Sequence, residues 1–460
     1  MRLRQPSPHP TMLLIYTPHI TPRLQYTLQT IFDELLPTTY QLTTNRAAFV
    51  GNFVAKLNYS NEVFANTPNI LPHGLLATTH TDPIDISVAT HSTNVKLLFA
   101  QHNTELGFDV FSAIFYLLSR YEEYHSTTPF YDYKLSIAHQ QQFLDQPIVH
   151  YWCQLLQAHI EQYFPHIEFK THTYQYIHTY DIDHHHAFKN KPWHLHYLRY
   201  TQEYLFNPTQ AALRKAVYNQ QLLDPWYNFE YLCKCTAAVS EVRFFFHVGN
   251  RTTKIDNSLS THHPDFQSSI YEVLRARNTA IGLHPSYHSN HDAIILKNEK
   301  QALEATINTA QPTNKAVNSP HQSAESHKSI TTSRQHYLYL QLPETYQRLA
   351  AIGIQHDYSM GYSRTVGFRA GVAQSFLWFD IKANATTRLR LHPFMYMDTA
   401  LHTHLQLSTD AALTTIISLM RNTRKVNGIF VSVWHNSSLG EVFGWQGWQK
   451  LHQLAIDSAL

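Results

Sequence analysis

From residue 173 onward, short apolar or β-branched runs alternate with helical stretches, and this rhythm restricts most of the chain to one kind of architecture. The strand-like runs are TYQYIHTYDID (173–183), VRFFFHVGN (242–250), AIGLHPSY (280–287), IQHDYS, VGFRAG, SFLWFDI, LRLHPFMYMD and a terminal GIFVSVWHN. Between them lie helical patterns around SSIYEVLRARN (268–278), 294–309 and LPETYQRLAAIG (342–353). Such alternation predicts an α/β fold with a parallel, barrel-like sheet and its helices outside. Residues 12–165 alternate in the same way, with LLIYT, TTYQLTT, KLNYS and KLLFA as strands and FDVFSAIFYLLSRYEEY (108–124) as a helix, and predict a smaller N-terminal α/β domain. A helix at 149–163 leads into the second domain, 170–460. Arg120, Glu122 and Glu123 close the 108–124 helix; a solvated end or an ion pair explains them without catalysis. Residues 310–333, rich in Ser, Thr, Asn, Gln and Pro, read as a disordered insertion.

With 460 residues, 43% of them hydrophobic, the chain can bury a large core. A net charge of +2 excludes both a disordered acidic chain and a strongly basic nucleic-acid binder. Cys153, Cys233 and Cys235 are too few and too irregularly placed for a disulfide framework, which suits a reducing compartment. No apolar run approaches the roughly 18 residues a membrane helix needs, and the basic MRLRQPSPHP start is followed by too short an apolar stretch for a secretory leader. A soluble, cytoplasmic protein is expected. Neither a glycine-rich phosphate loop nor a G-x-S-x-G elbow occurs, so nucleotide-binding and serine-hydrolase readings lack their main support.

The sharpest chemical signal is Asp181-Ile182-Asp183 at the end of a predicted strand. Carboxylates two apart project to the same side of the pleat, and the C-terminal tips of barrel strands form the active-site face. One carboxylate can hold a metal while the other stays free. The bland alternative is a turn or helix cap. His284 and His288 follow the strand-like AIGL; four residues apart, they can meet one ion if the chain turns helically after Pro285. With 33 histidines in the chain, spacing alone carries little weight, but together with Asp183 the pair supplies two nitrogens and one oxygen, a set suited to Zn²⁺ with a position left for water. Arg369 lies between Gly367 and Gly371, where it is either a carboxylate clamp or a surface arginine. His435 ends the buried-strand pattern IFVSVWH, as a general acid or a half-buried core histidine.

An Asp pair, a His-x-x-x-His about a hundred residues on, an Arg, an Asp and a terminal-strand His: this order resembles the polysaccharide deacetylase family, also called the NodB-homology family or carbohydrate esterase family four. The segments FDVFSAIFYLLSRYEEY, TYDID, GLHPSY, SRQHYL, DYSMGY, GFRAG and WHNS are similar to a bacterial branch that carries its own N-terminal α/β domain. The resemblance implies a distorted (β/α) barrel and one divalent metal ion, Zn²⁺, on Asp183, His284 and His288. It implies Asp181 as base, Arg369 as the arginine orienting it, His435 as acid and Asp398 as the carboxylate that tunes His435. Arg334, Gln335, His336, Asp357, Tyr358 and Ser359 would line the cleft, and Tyr287, Tyr362 and Trp434 could stack on a sugar. The implied function is metal-dependent hydrolysis of an acyl group, N-acetyl above all, from a carbohydrate or glycan precursor. The alternatives are a catalytically silent scaffold in surface-polysaccharide assembly and a hydrolase of another C–N bond, in a cyclic imide or ureide.

Overall fold

A computed structural model of the chain describes residues 12–52, 54–126, 128–190, 193–249, 255–310 and 329–460. Strands β1 (Leu13–Tyr16), β2 (Tyr40–Thr43), β3 (Ala55–Tyr59) and β4 (Asn69–Ile70) form a parallel sheet in the order β2-β1-β3-β4. An antiparallel pair, β5 (Val88–Thr90) and β6 (Lys96–Leu98), follows. Every residue of helix Val110–Leu118 is buried, which suits a segment apolar on all sides. Asp109 caps it, its Oδ1 accepting from the Phe111 and Ser112 amides.

Nine further strands build the main sheet: β7 (Gln175–Ile182), β8 (Glu241–His247), β9 (Thr279–His284), β10 (Thr332–Ser333), β11 (His356–Asp357), β12 (Phe376–Asp380), β13 (Ala385–Leu391), β14 (Tyr396–Met397) and β15 (Ile429–His435). Their order is β12-β13-β11-β10-β9-β8-β7-β15-β14, and all pairs but β12 with β13 are parallel. Seven strand spacings separate β13 from β14 in this order, about 34 Å if the sheet were flat. Yet only residues 392–395 join them, a reach of roughly 18 Å. The sheet must therefore curl until its ends approach. Beside that seam the Phe394 amide donates to the Met360 carbonyl and the Gly367 amide to the Met395 carbonyl. Among the described residues the strand ladder does not close, so the fold is mixed α/β with a curled, mostly parallel sheet rather than a closed barrel.

Three expectations change. Residues 311–328 of the anticipated insertion lie outside the described residues, but its last part is not a loop: Ile330 is buried and Thr332–Ser333 is an interior strand of the sheet. LRLHPFMYMD is two strands broken around Pro393 rather than one, because proline cannot donate to a ladder. VGFRAG forms turns rather than a strand.

A single apolar cluster runs through both parts of the chain. The Tyr26 ring lies 5.0 Å from that of Phe379, its hydroxyl donates to the Leu377 carbonyl, and Arg390 grips Glu34 with two hydrogen bonds. Arg120, Glu122 and Glu123 are not a solvated helix end; they form a buried ion-pair network that reaches Arg369. No helix among the described residues is long and apolar enough to cross a membrane.

Candidate metal centre

Parallel pairing aligns the C-terminal ends of five neighbouring strands, and each carries a polar side chain. In register, Asp181 of β7 faces His435 of β15 on one side and Phe245 of β8 on the other. His247 of β8 faces His284 of β9, and Ser333 of β10 faces Leu283. Asp183 follows β7, and Arg334 and His336 follow β10. Sheet geometry alone thus converges residues up to 254 positions apart.

Asp183, His284 and His336 bring their ligand atoms within 4.8 Å of one another. Asp183 Oδ1 lies 3.2 Å from His284 Nε2 and 3.9 Å from His336 Nε2. This oxygen is buried and has no hydrogen-bond partner, which is costly unless a cation occupies the space. His284 Nδ1 donates to the Arg334 carbonyl at 2.6 Å and His336 Nδ1 faces Asp256 at 3.3 Å. Both rings are therefore oriented with Nε2 towards Asp183, the arrangement expected of metal-binding imidazoles. The three donors fit a divalent ion of zinc-like preference. Burial alone would raise the Asp183 carboxyl, but the His284, His336 and His435 imidazoles hold it well below the usual carboxylate range.

Asp181 sits beside this cluster, its Oδ2 4.0 Å from His284 Nε2. Its partner is Arg334, whose Nη1 donates to Oδ1 at 2.7 Å while Nε donates to the Tyr358 carbonyl. The guanidinium lies over the Phe245 ring at 4.5 Å, so it is fixed on both faces of the chemistry. Opposite, Asp398 accepts from His435 Nδ1 and from the His435 amide, both at 2.7 Å, and aims His435 Nε2 at Asp183 Oδ2, 3.7 Å away. Burial opposes the charged ring, but Asp398 and then Asp183 and Asp181 outweigh it and push His435 up to about 10.

Two anticipated residues sit elsewhere. The chain after β9 does turn, but His288 is rotated so that its Nδ1 contacts Asp256 Oδ2, and His336 takes the third position around Asp183. Arg369 does not hydrogen-bond Asp181; it donates from Nε and Nη2 to Glu123 at 2.9 and 2.6 Å and from Nη1 to the Gly361 carbonyl. Its flanking glycines serve the backbone rather than a cleft: Gly367 has φ +130°, and a Cβ there would lie 2.2 Å from the Leu144 carbonyl oxygen. Trp434 and Tyr362 are core residues, whereas Tyr287 belongs to an aromatic cluster with Phe130, Tyr337 and Tyr339. The sequence signal for Arg334 and His336 is their place one and three residues after a short strand; it was hidden by the polar stretch before it.

Residues 13–165 match the sequence model of a family described as being of unknown function, DUF7033, which covers a third of the chain. No curated protein matches. Among solved structures, the chain is similar to a protein assigned as a polysaccharide deacetylase from Mycobacterium smegmatis, at 12% identity over 63% of this chain and 86% of that one, with a TM-score of 0.37. It is also similar to a 4-alpha-glucanotransferase from Thermococcus litoralis, at 11% identity over 62% of this chain and 37% of that one, with a TM-score of 0.35. Scores this low carry no functional inference.

Proposed function

We propose that this chain is a metal-dependent hydrolase that removes an acyl group, N-acetyl in the first instance, from a carbohydrate or glycan precursor. The observation that carries the reading is the partnerless buried Oδ1 of Asp183, set against His284 and His336 and flanked by an arginine-held carboxylate on one side and a carboxylate-held histidine on the other. A Zn²⁺ ion on Asp183, His284 and His336 would supply Lewis acidity, lowering the pKa of water and stabilising negative charge on an acyl oxygen.

The rest of the chemistry belongs to the side chains. Asp181, with Oδ1 engaged by Arg334, keeps Oδ2 towards the cluster and accepts the proton of the attacking water. As the carbon–nitrogen bond breaks, His435 gives its Nε2 proton to the leaving amine, a transfer suited to a ring that remains charged at neutral pH. Asp398 keeps that ring oriented through both turns of the proton. Exposed Tyr337 and Phe130, next to Tyr287, offer aromatic faces to a sugar ring.

The test is acetate release from N-acetylated oligosaccharides by Zn²⁺-loaded protein, together with metal analysis by plasma mass spectrometry. Asp183→Ala and His284→Ala are each expected to retain one equivalent of Zn²⁺ fewer than wild type and to release no acetate. Wild-type metal content in both variants would sink the site. His336→Ala should likewise be inactive, whereas His288→Ala, which acts only through Asp256, should lose about tenfold at most. The reverse ranking would return the third ligand position to His288.

A further inference from the structure

We infer that the buried cluster of His247, Asp256 and His336 is a second divalent-cation site, joined to the first through the His336 ring. The inference goes beyond the hydrolase reading, which needs only one ion. The ligand atoms of these three residues also lie within 4.8 Å of one another, and all three side chains are buried.

The deciding atom is His247 Nε2. His247 is inaccessible to solvent, and its Nδ1 lies 3.1 Å from the His284 carbonyl oxygen. A carbonyl only accepts, so Nδ1 carries the hydrogen and Nε2 of the neutral ring is left with its lone pair. That nitrogen has no hydrogen-bond partner, and the atom it faces is Asp256 Oδ1, 3.6 Å away. Both atoms are acceptors and both side chains are buried, so no hydrogen bond closes the gap on His247 Nε2. A proton between them would draw the pair to hydrogen-bonding distance, below about 3.2 Å. The observed gap is too wide for that and suits a cation seated between a nitrogen and a carboxylate oxygen, with ligand distances of about 2 Å to each.

Asp256 is built as an anchor. It accepts from the Tyr287 and His288 amides, from His288 Nδ1 and from His336 Nδ1, which fix its carboxylate beside β8. The His336 ring lies 4.3 Å from that of His247, centre to centre. One of its nitrogens points to Asp183 and the other to Asp256, so with the Nδ1 proton released to solvent as the second ion binds, a single imidazolate bridges both ions. Gly249 makes room: a Cβ at that position would stand 2.9 Å from His247 Cε1 and 3.1 Å from Nε2. Two nitrogens and one oxygen again favour a zinc-like cation over calcium or magnesium.

The experiment strips the full-length protein with chelator, reloads it with Zn²⁺ alone, desalts it to remove weakly held metal, and counts retained ions by native mass spectrometry. Wild type is expected to keep two per chain, and His247→Gln and Asp183→Ala one each. Gly249→Ala, which replaces no ligand but crowds the His247 ring and Ser286, should also keep one. Wild type and His247→Gln retaining the same number would overturn the inference, and the wild-type count decides even if a variant folds poorly. An ion kept by Asp183→Ala and lost from His247→Gln, with no other in wild type, would uphold this site while sinking the one proposed for hydrolysis.

Discussion

Asp181→Asn is expected to lower kcat for acetate release by about 10²–10⁴-fold, with Zn²⁺ content unchanged, because it removes the proton acceptor and leaves the ligands in place. The position of Arg334 makes this a two-residue prediction. Its Nη1 on Asp181 Oδ1 sets the direction in which Oδ2 points. Arg334→Met should therefore reproduce part of the loss, roughly 10–100-fold, while Arg334→Lys recovers little because it cannot hold both Asp181 and the Tyr358 carbonyl. Arg369→Met should leave kcat per folded molecule close to wild type. Equal losses in kcat for the two arginine variants, at equal folded fractions, would show that Arg369 and not Arg334 serves the base.

The second large effect is on stability. Glu123→Ala removes the one carboxylate that both Arg120 and Arg369 engage, and leaves two buried guanidinium groups short of a counter-charge. Breaking a buried pair from one side costs about 3–5 kcal/mol, and denaturant unfolding of the metal-free protein should show a loss of that size. Burial opposes ionisation of Glu123, but Arg369 and Arg120 together hold its carboxyl down at about 2, against roughly 4.3 for an ordinary glutamate. The folded-state value is the lower one, so the unfolded chain takes up the proton first. The contribution is complete above about pH 4.3 and is lost as pH falls towards 2. Wild type should thus lose stability through that window more steeply than Glu123→Gln. Parallel acid profiles would mean that the network is not charged as described.

Both predictions turn on the same exchange of partners between two arginines, and that exchange shows where reading a sequence stops. A strand ending on Asp-Ile-Asp, another ending on His284 and a third on His435 can be recognised because each strand's own alternation says where it ends and which face its tip presents. Asp398 as the partner of His435 came only with the family resemblance, which left Asp380 as the other choice, and the parallel pairing of β14 with β15 brings Asp398 and His435 together. Arg369 between glycines had the look of a clamp, and Arg334 followed directly on a stretch whose composition hides strands. Two residues of β10 are too short to leave a periodic trace; they are a strand only because β9 and β11 flank them.

The third histidine teaches the same lesson. Spacing of four suggested that His284 and His288 share an ion, which requires a helical turn of a particular phase after Pro285. The chain turns, yet Asp256, supplied from the connection between β8 and β9, captures His288 and leaves the position to His336. No local pattern announces a contact between residues separated by 32 positions.

What the residues determined by themselves is the alternation of strands and helices, a helix within 108–124, and the clustering of acidic and imidazole groups at strand ends. These depend on periodicities of two and 3.6 residues, which act over a few neighbours and are written locally. Tertiary structure alone decided the curl of the sheet, the placing of His336 rather than His288 beside Asp183 and of Arg334 rather than Arg369 on Asp181, and the burial of the Arg120–Glu123–Arg369 network. Each of these is a competition among distant groups for one partner, settled by strand register and by the cost of leaving a buried charge or lone pair unmatched.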